Sequence, residues 1–135
     1  MKRKAFLIST LFAAAILYNS CKKQAQPALT SADITKVIDK MTVVMIHDVT
    51  NPPLAARFFS YTCLAGYEVV AENDKSVKSM YGVLNEYPVV KKPGFAKGYA
   101  YELSALIAML ETAGKLQPSG SRLIKYEQEL LLQMR

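Results

Sequence analysis

The stretch His47-Asp48-Val49-Thr50-Asn51-Pro52-Pro53-Leu54-Ala55-Ala56-Arg57-Phe58-Phe59-Ser60-Tyr61 decides how this chain is read. Two successive prolines stop one helix and suit the first turn of the next, where a missing N–H would have had no partner. Before them, Ile34, Val37, Ile38, Met41, Val44 and Met45 recur at helical spacing. A helix is therefore predicted from Ser31 to Asp48, capped by Thr30 or Ser31, with Asp33 in its first turn. After them, a second helix is predicted from Pro53 to Ala71. Leu54, Phe58, Tyr61, Leu64 or Ala65, and Glu68 mark its stripe, and Ala55, Ala56, Ala65 and Gly66 are small enough to admit another helix.

Further along, a short third helix is expected from Ser76 to Leu84. Asn85 to Lys97, with Pro88, Pro93 and Gly94, reads as loop. A fourth helix is expected from Gly98 to Ala113, then a turn at Gln117-Pro118-Ser119-Gly120, then a last helix capped by Ser121. There is no internal repeat, low-complexity segment or strand pattern. The predicted class is all-α, a small bundle of four to five helices that forms part of a larger helical fold. The last point rests on Met41–Ile46 and Tyr99–Leu110, which are apolar nearly all round. Such helices must be covered on every side, and there is too little polar-faced helix here to wrap both.

At the start, Lys2, Arg3 and Lys4 precede fourteen uncharged, mostly apolar residues, Ala5 to Tyr18. That is the length of a signal-peptide core, short of the roughly 20 residues a spanning helix needs. Leu17-Tyr18-Asn19-Ser20-Cys21 then looks like a bacterial lipoprotein cleavage site. Leu17 stands one place further from the Cys than is usual, and Asn19 is larger than usual; a plain signal peptide cut nearby is the alternative. The expected organisation is a signal peptide over 1–20, a tether over 21–29 starting at lipidated Cys21, and a helical domain over 30–135. The expected partner is membrane lipid through Cys21, with Lys22 and Lys23 at the headgroups. No acidic cluster follows the Cys, so a periplasm-facing place in the cell envelope is expected.

Removing the leader leaves fourteen Lys and Arg against eleven Asp and Glu, a net charge of +3 instead of +6. The remaining charge is spread along the chain, which argues against nucleic-acid binding. With Cys21 on a lipid, only Cys63 is left and no internal disulfide can form. Cys63 lies among apolar residues and is expected to be a buried, inert thiol; a catalytic thiol would have only His47 as its base.

The block His47–Tyr61, together with Ala65-Gly66-Tyr67-Glu68, resembles the N-terminal region of bacterial lipoproteins of the vanadium-dependent haloperoxidase and type 2 phosphatidic acid phosphatase superfamily. The likeness runs loosely from Val37 to Met109. It implies an all-helical fold and kinship with acid phosphatases. In that superfamily Lys and Arg bind phosphate or vanadate, one His is nucleophile or metal ligand, and a second His is the acid. This chain has one histidine. Lys115 and Arg122 have the spacing of the family's first motif, but Leu123 replaces its Pro. Pro118-Ser119-Gly120 copies the second, but Ser121 replaces its His. Ser121-Arg122 opens like the third, with no His or Asp following at the right places. All three overlap in one polar turn and read as chance. The resemblance therefore implies no catalytic, cofactor-binding or metal residue in this chain, and a vanadate or phosphate site only in a part not represented here.

His47 is expected to serve the end of its helix. With Asp48 alone it is too small a set for zinc. Arg57 is expected to pair with Asp48 or another nearby carboxylate, and the tyrosines to pack at the bundle edge. Three functions compete: a helical scaffold without its catalytic half, an autonomous helical lipoprotein that binds a protein partner or itself through apolar faces, and a self-contained enzyme.

Overall fold

The computed structural model describes residues 29–90 and 100–134. The expected signal peptide, Cys21 and nearly all of the tether lie outside the described residues, as do Gly98 and the end of the expected loop. Four helices are present among the described residues: α1 Ser31–His47, α2 Pro52–Asn73, α3 Tyr101–Leu116 and α4 Ser121–Gln133, with no strand. None of them is long and apolar enough to cross a membrane.

Local chemistry explains the boundaries. At the start of α1, the Thr30 N–H donates to Asp33 Oδ2 at 2.9 Å, and Asp33 also takes Lys36 at 3.0 Å. The Thr30 backbone N–H and then Lys36 hold the Asp33 carboxyl down at about 2. Asn51 caps α2 by accepting the Leu54 N–H at 3.0 Å, with proline in the first turn. The α1–α2 connection turns at Val49, whose φ of 51° lies in the left-handed region.

α3 is the central helix and packs against α2, α4 and α1. This is why the segment is so apolar: Ala105, Leu106, Met109 and Leu110, with Ala113 a turn further on, are buried by the other helices of this chain. The core joins them to Val37, Met41, Val44 and Met45 of α1, Phe58 of α2 and Leu123 of α4. Lys40 lies over the Tyr126 ring at 5.2 Å, linking α1 to α4 by a cation–π contact.

The inward face of α2 differs from the expected stripe. Phe58, Thr62, Gly66 and Glu68 are buried, whereas Tyr61 is 53% exposed and Leu54 37%. Gly66 turns inward where α2 and α3 nearly touch, whereas Ala56 is exposed. A Cβ on Gly66 would stand 2.7 Å from Met109 Cγ and 3.3 Å from the Ala105 carbonyl. Gly66 thus admits a neighbouring helix, as its size suggested. Cys63 corrects another expectation: it is exposed, since the same rotation carries it away from α3.

The expected third helix, Ser76 to Leu84, does not form. Side chains capture its backbone first. Asp74 accepts the Ser76 N–H at 2.9 Å. The buried Glu68 carboxylate accepts the Ser79 hydroxyl and the Met80 N–H, each at 2.7 Å. The Tyr67 hydroxyl donates to the Lys78 carbonyl at 2.7 Å. Gly82 then turns with φ 76°. The result is an irregular strap over the end of α2, with only an isolated Tyr81–Leu84 bridge.

The α3–α4 turn closes backbone on backbone. A Cβ on Gly120 would sit 1.9 Å from the Gly114 carbonyl oxygen, a contact no side-chain movement relieves. We expect Gly120→Ala to destabilise the fold by about 3 kcal/mol or more, and Gly66→Ala, which displaces the flexible Met109 side chain, by about 1–2 kcal/mol. Urea unfolding of both variants checks the order; equal losses would contradict it.

Candidate functional site

Two features stand out: a polar cluster where α1 meets the α3–α4 turn, and an apolar groove between the start of α1, α2 and α3. The cluster is built by the end of α1. Asp48 caps it, and its side chain is 5% exposed. Its carboxylate accepts the Ser119 N–H at 2.9 Å and the Ser119 hydroxyl. His47 Nδ1 lies 3.0 Å from the same carboxylate. Arg122, in the first turn of α4, places Nη2 3.1 Å from His47 Nε2. A guanidinium can only donate, so Nε2 accepts and Nδ1 carries the proton given to Asp48. The Ser119 hydroxyl and N–H, then His47, hold the Asp48 carboxyl down at about 2.

This arrangement corrects one expectation. Asp48 is taken by Ser119 and His47, while Arg57 is exposed and makes no ion pair among the described residues. Ser119 and Arg122, in the turn whose motif likeness reads as chance, hold the end of α1, a structural role that the sequence did not show. They do not form an oxyanion cradle. Lys115 is paired with Glu111 at 2.7 Å, Arg122 faces His47, and both donors of Ser119 are committed to a carboxylate. This set does not fit vanadate or phosphate. Among the described residues no group of three or more His, Cys, Asp or Glu is placed to hold a metal ion.

The groove has a volume of about 570 Å³. It runs from Leu29 and Ile34 past Cys63, Gly66 and Val70 to Met109. Periodicity could not show it, because its floor is the small-residue face of α2. Further apolar surface lies on α1, where Val43 is 59% and Ile46 72% exposed, and at Val49, which is 88% exposed.

No family model matches the chain, and no curated protein does. Among solved structures, the fold is similar to a bacterial vanadium-dependent iodoperoxidase, with a TM-score of 0.76 and 33% identity over 82% of this chain. The chain spans about a quarter (27%) of the iodoperoxidase chain. The helical scaffold is therefore haloperoxidase-like, as the block around His47–Tyr61 implied.

Two measurements test the cluster. Val49 is β-branched and left-handed, a conformation costing about 1–2 kcal/mol. Less glycine's extra chain entropy, Val49→Gly should gain about 0.5–1 kcal/mol in urea unfolding. Asp48 has its folded pKa below its unfolded one, so its contribution is present above about pH 4 and is lost as the pH falls towards 2. The melting-temperature gap between wild type and Asp48→Asn should not narrow from neutral pH to about pH 4 and should close below it; a gap unchanged at about pH 2 would contradict the assignment.

Proposed function

We propose, taking the haloperoxidase-like scaffold as the premise, that this chain is the N-terminal helical scaffold of a haloperoxidase- or acid phosphatase-like lipoprotein. It is held in the cell envelope by lipid on Cys21 and lacks the oxyanion-binding set and histidine pair of that superfamily. The observation that carries this reading is the likeness to a quarter of the iodoperoxidase in a chain with one histidine. Attack on, or protonation of, a bound oxyanion calls for cations around it and imidazoles free to act. Here the one imidazole has a neighbour on each ring nitrogen. The apolar groove and the outer row of α1 are then surfaces that further protein of the fold would cover.

The basic start, the apolar run Ala5–Tyr18 and Ser20-Cys21 support the anchor. Each buried CH₂ of an acyl chain contributes about 0.8 kcal/mol, so a multiply acylated Cys21 holds firmly. The exposed Val43, Ile46 and Val49 favour one other reading, an autonomous lipoprotein that self-associates through α1.

Purified full-length chain, given vanadate, peroxide and iodide, or a generic phosphate ester, should show no turnover above buffer. Turnover abolished by His47→Ala would overturn the inactive-scaffold reading. Mass spectrometry of chain isolated from envelopes should find residues 21–135 carrying acyl groups; intact residues 1–20 or an unmodified Cys21 would remove the anchor. A defined oligomer on size exclusion would favour self-association.

A further inference from the structure

The His47–Arg122 contact requires a lone pair on Nε2. Arg122 donates to it, and among the described residues the guanidinium has no carboxylate partner. Protonating the imidazole turns Nε2 into a donor, so the hydrogen bond is lost and two cations face each other about 3 Å apart. Nδ1 carries its proton in either state and goes on donating to Asp48, and a charged imidazole binds the carboxylate more tightly.

We infer that His47 is a protonation-sensitive latch: neutral, it ties the first turn of α4 to the end of α1; protonated, it keeps Asp48 and releases Arg122. The charged groups bonded to the imidazole are Asp48 on its own side and Arg122 from α4. From α3, Lys115 is occupied by Glu111, and from α2, Arg57 makes no bond to it. The release is local because Asp48 still holds both donors of Ser119, and that carboxylate stays ionised far below the range in which an imidazole titrates. At the end of α1 the polar ties to the α3–α4 unit thus fall from two residues, Ser119 and Arg122, to Ser119 alone, while the core and the Lys40–Tyr126 contact stay in place. Val49 sits two residues from the latch, apolar, exposed and left-handed, so the turn that would feel the release is itself under strain. The guanidinium set free carries a charge with no internal partner and is available to an anion from outside the chain. This inference goes beyond the proposed function and stands on the cluster alone.

The test uses the only histidine in the chain, whose imidazole signals need no assignment. Full-length, ¹⁵N-labelled protein in detergent is titrated from about pH 8 to about pH 5 by NMR. At the upper end the imidazole should be the Nδ1–H tautomer. The Arg122 guanidinium resonance, identified by its loss in Arg122→Lys, should shift with the same midpoint as His47. In His47→Asn, which keeps a donor towards Asp48 and lacks Nε2, the Arg122 resonance should stay put over that range. An Nε2–H tautomer at about pH 8, or an Arg122 resonance that does not move while His47 titrates, overturns the latch. Both of those readings come from the wild-type chain and do not depend on how the Asn variant folds.

Discussion

Gly66 lies so close to α3 that a single added carbon would collide with Met109, and the rest of the molecule follows from that approach. Two helices can come this near only where one presents almost no side chain, so the Phe58–Thr62–Gly66 line must face inward. That rotation carries Cys63 and Tyr61 to the outside. It also buries the Thr62 hydroxyl, fully covered and without a partner among the described residues. An unpaired buried hydroxyl costs about 1–3 kcal/mol. The second close approach, Gly120 on Gly114, fixes how α4 returns along α3.

With α3 central, α1, α2 and α4 each give one face to it and keep others uncovered. α1 shows this most clearly. Val37, Met41, Val44 and Met45 are buried, while Val43 and Ile46 on the same apolar segment are mostly exposed. Apolar surface on a helix flank is worth roughly 25 cal/mol per Å² if removed from water, so a contiguous row invites a covering partner. The groove between the start of α1, α2 and α3 presents apolar surface of concave shape.

The helices and the inward stripe of α1 were legible in the sequence, since both depend on local spacing, caps and prolines. Asn51 with Pro52 and Pro53 marked the start of α2 to within one residue. The stripe of α2 was half legible: Phe58 and Glu68 are buried as expected, while Tyr61 and Leu54 are exposed and Thr62 and Gly66 are buried instead. Hydrophobic periodicity points to large side chains and passes over Gly66, where the close approach to α3 is made. The third helix failed for a non-local reason. Nothing in Ser76–Leu84 itself forbids a helix, but Glu68, a turn from the end of α2, reaches over to take the Met80 N–H and the Ser79 hydroxyl. A carboxylate eleven or twelve residues away in sequence cannot be weighed by a local pattern. The polar cluster was half legible: His47-Asp48 stood out, but its partners lie more than seventy residues on.

Those partners also show why constellations are judged by bond direction. Ser119, His47 and Asp48 are the residue types of a nucleophile, a base and an orienting acid. In such a relay the hydroxyl must meet the free nitrogen of the imidazole, and the carboxylate must hold the other nitrogen. Here the Ser119 hydroxyl turns to Asp48, and its nearest imidazole nitrogen, 3.4 Å away, is Nδ1, the one that carries the proton. Nε2, the only nitrogen with a lone pair to offer, is covered by Arg122. No base activates the serine, and the base is capped by a cation. The geometry that denies the cluster a hydrolytic role is the geometry that makes it a tie: each donor has one acceptor, and the chain of bonds runs from α4 through His47 and Asp48 back to the turn before α4.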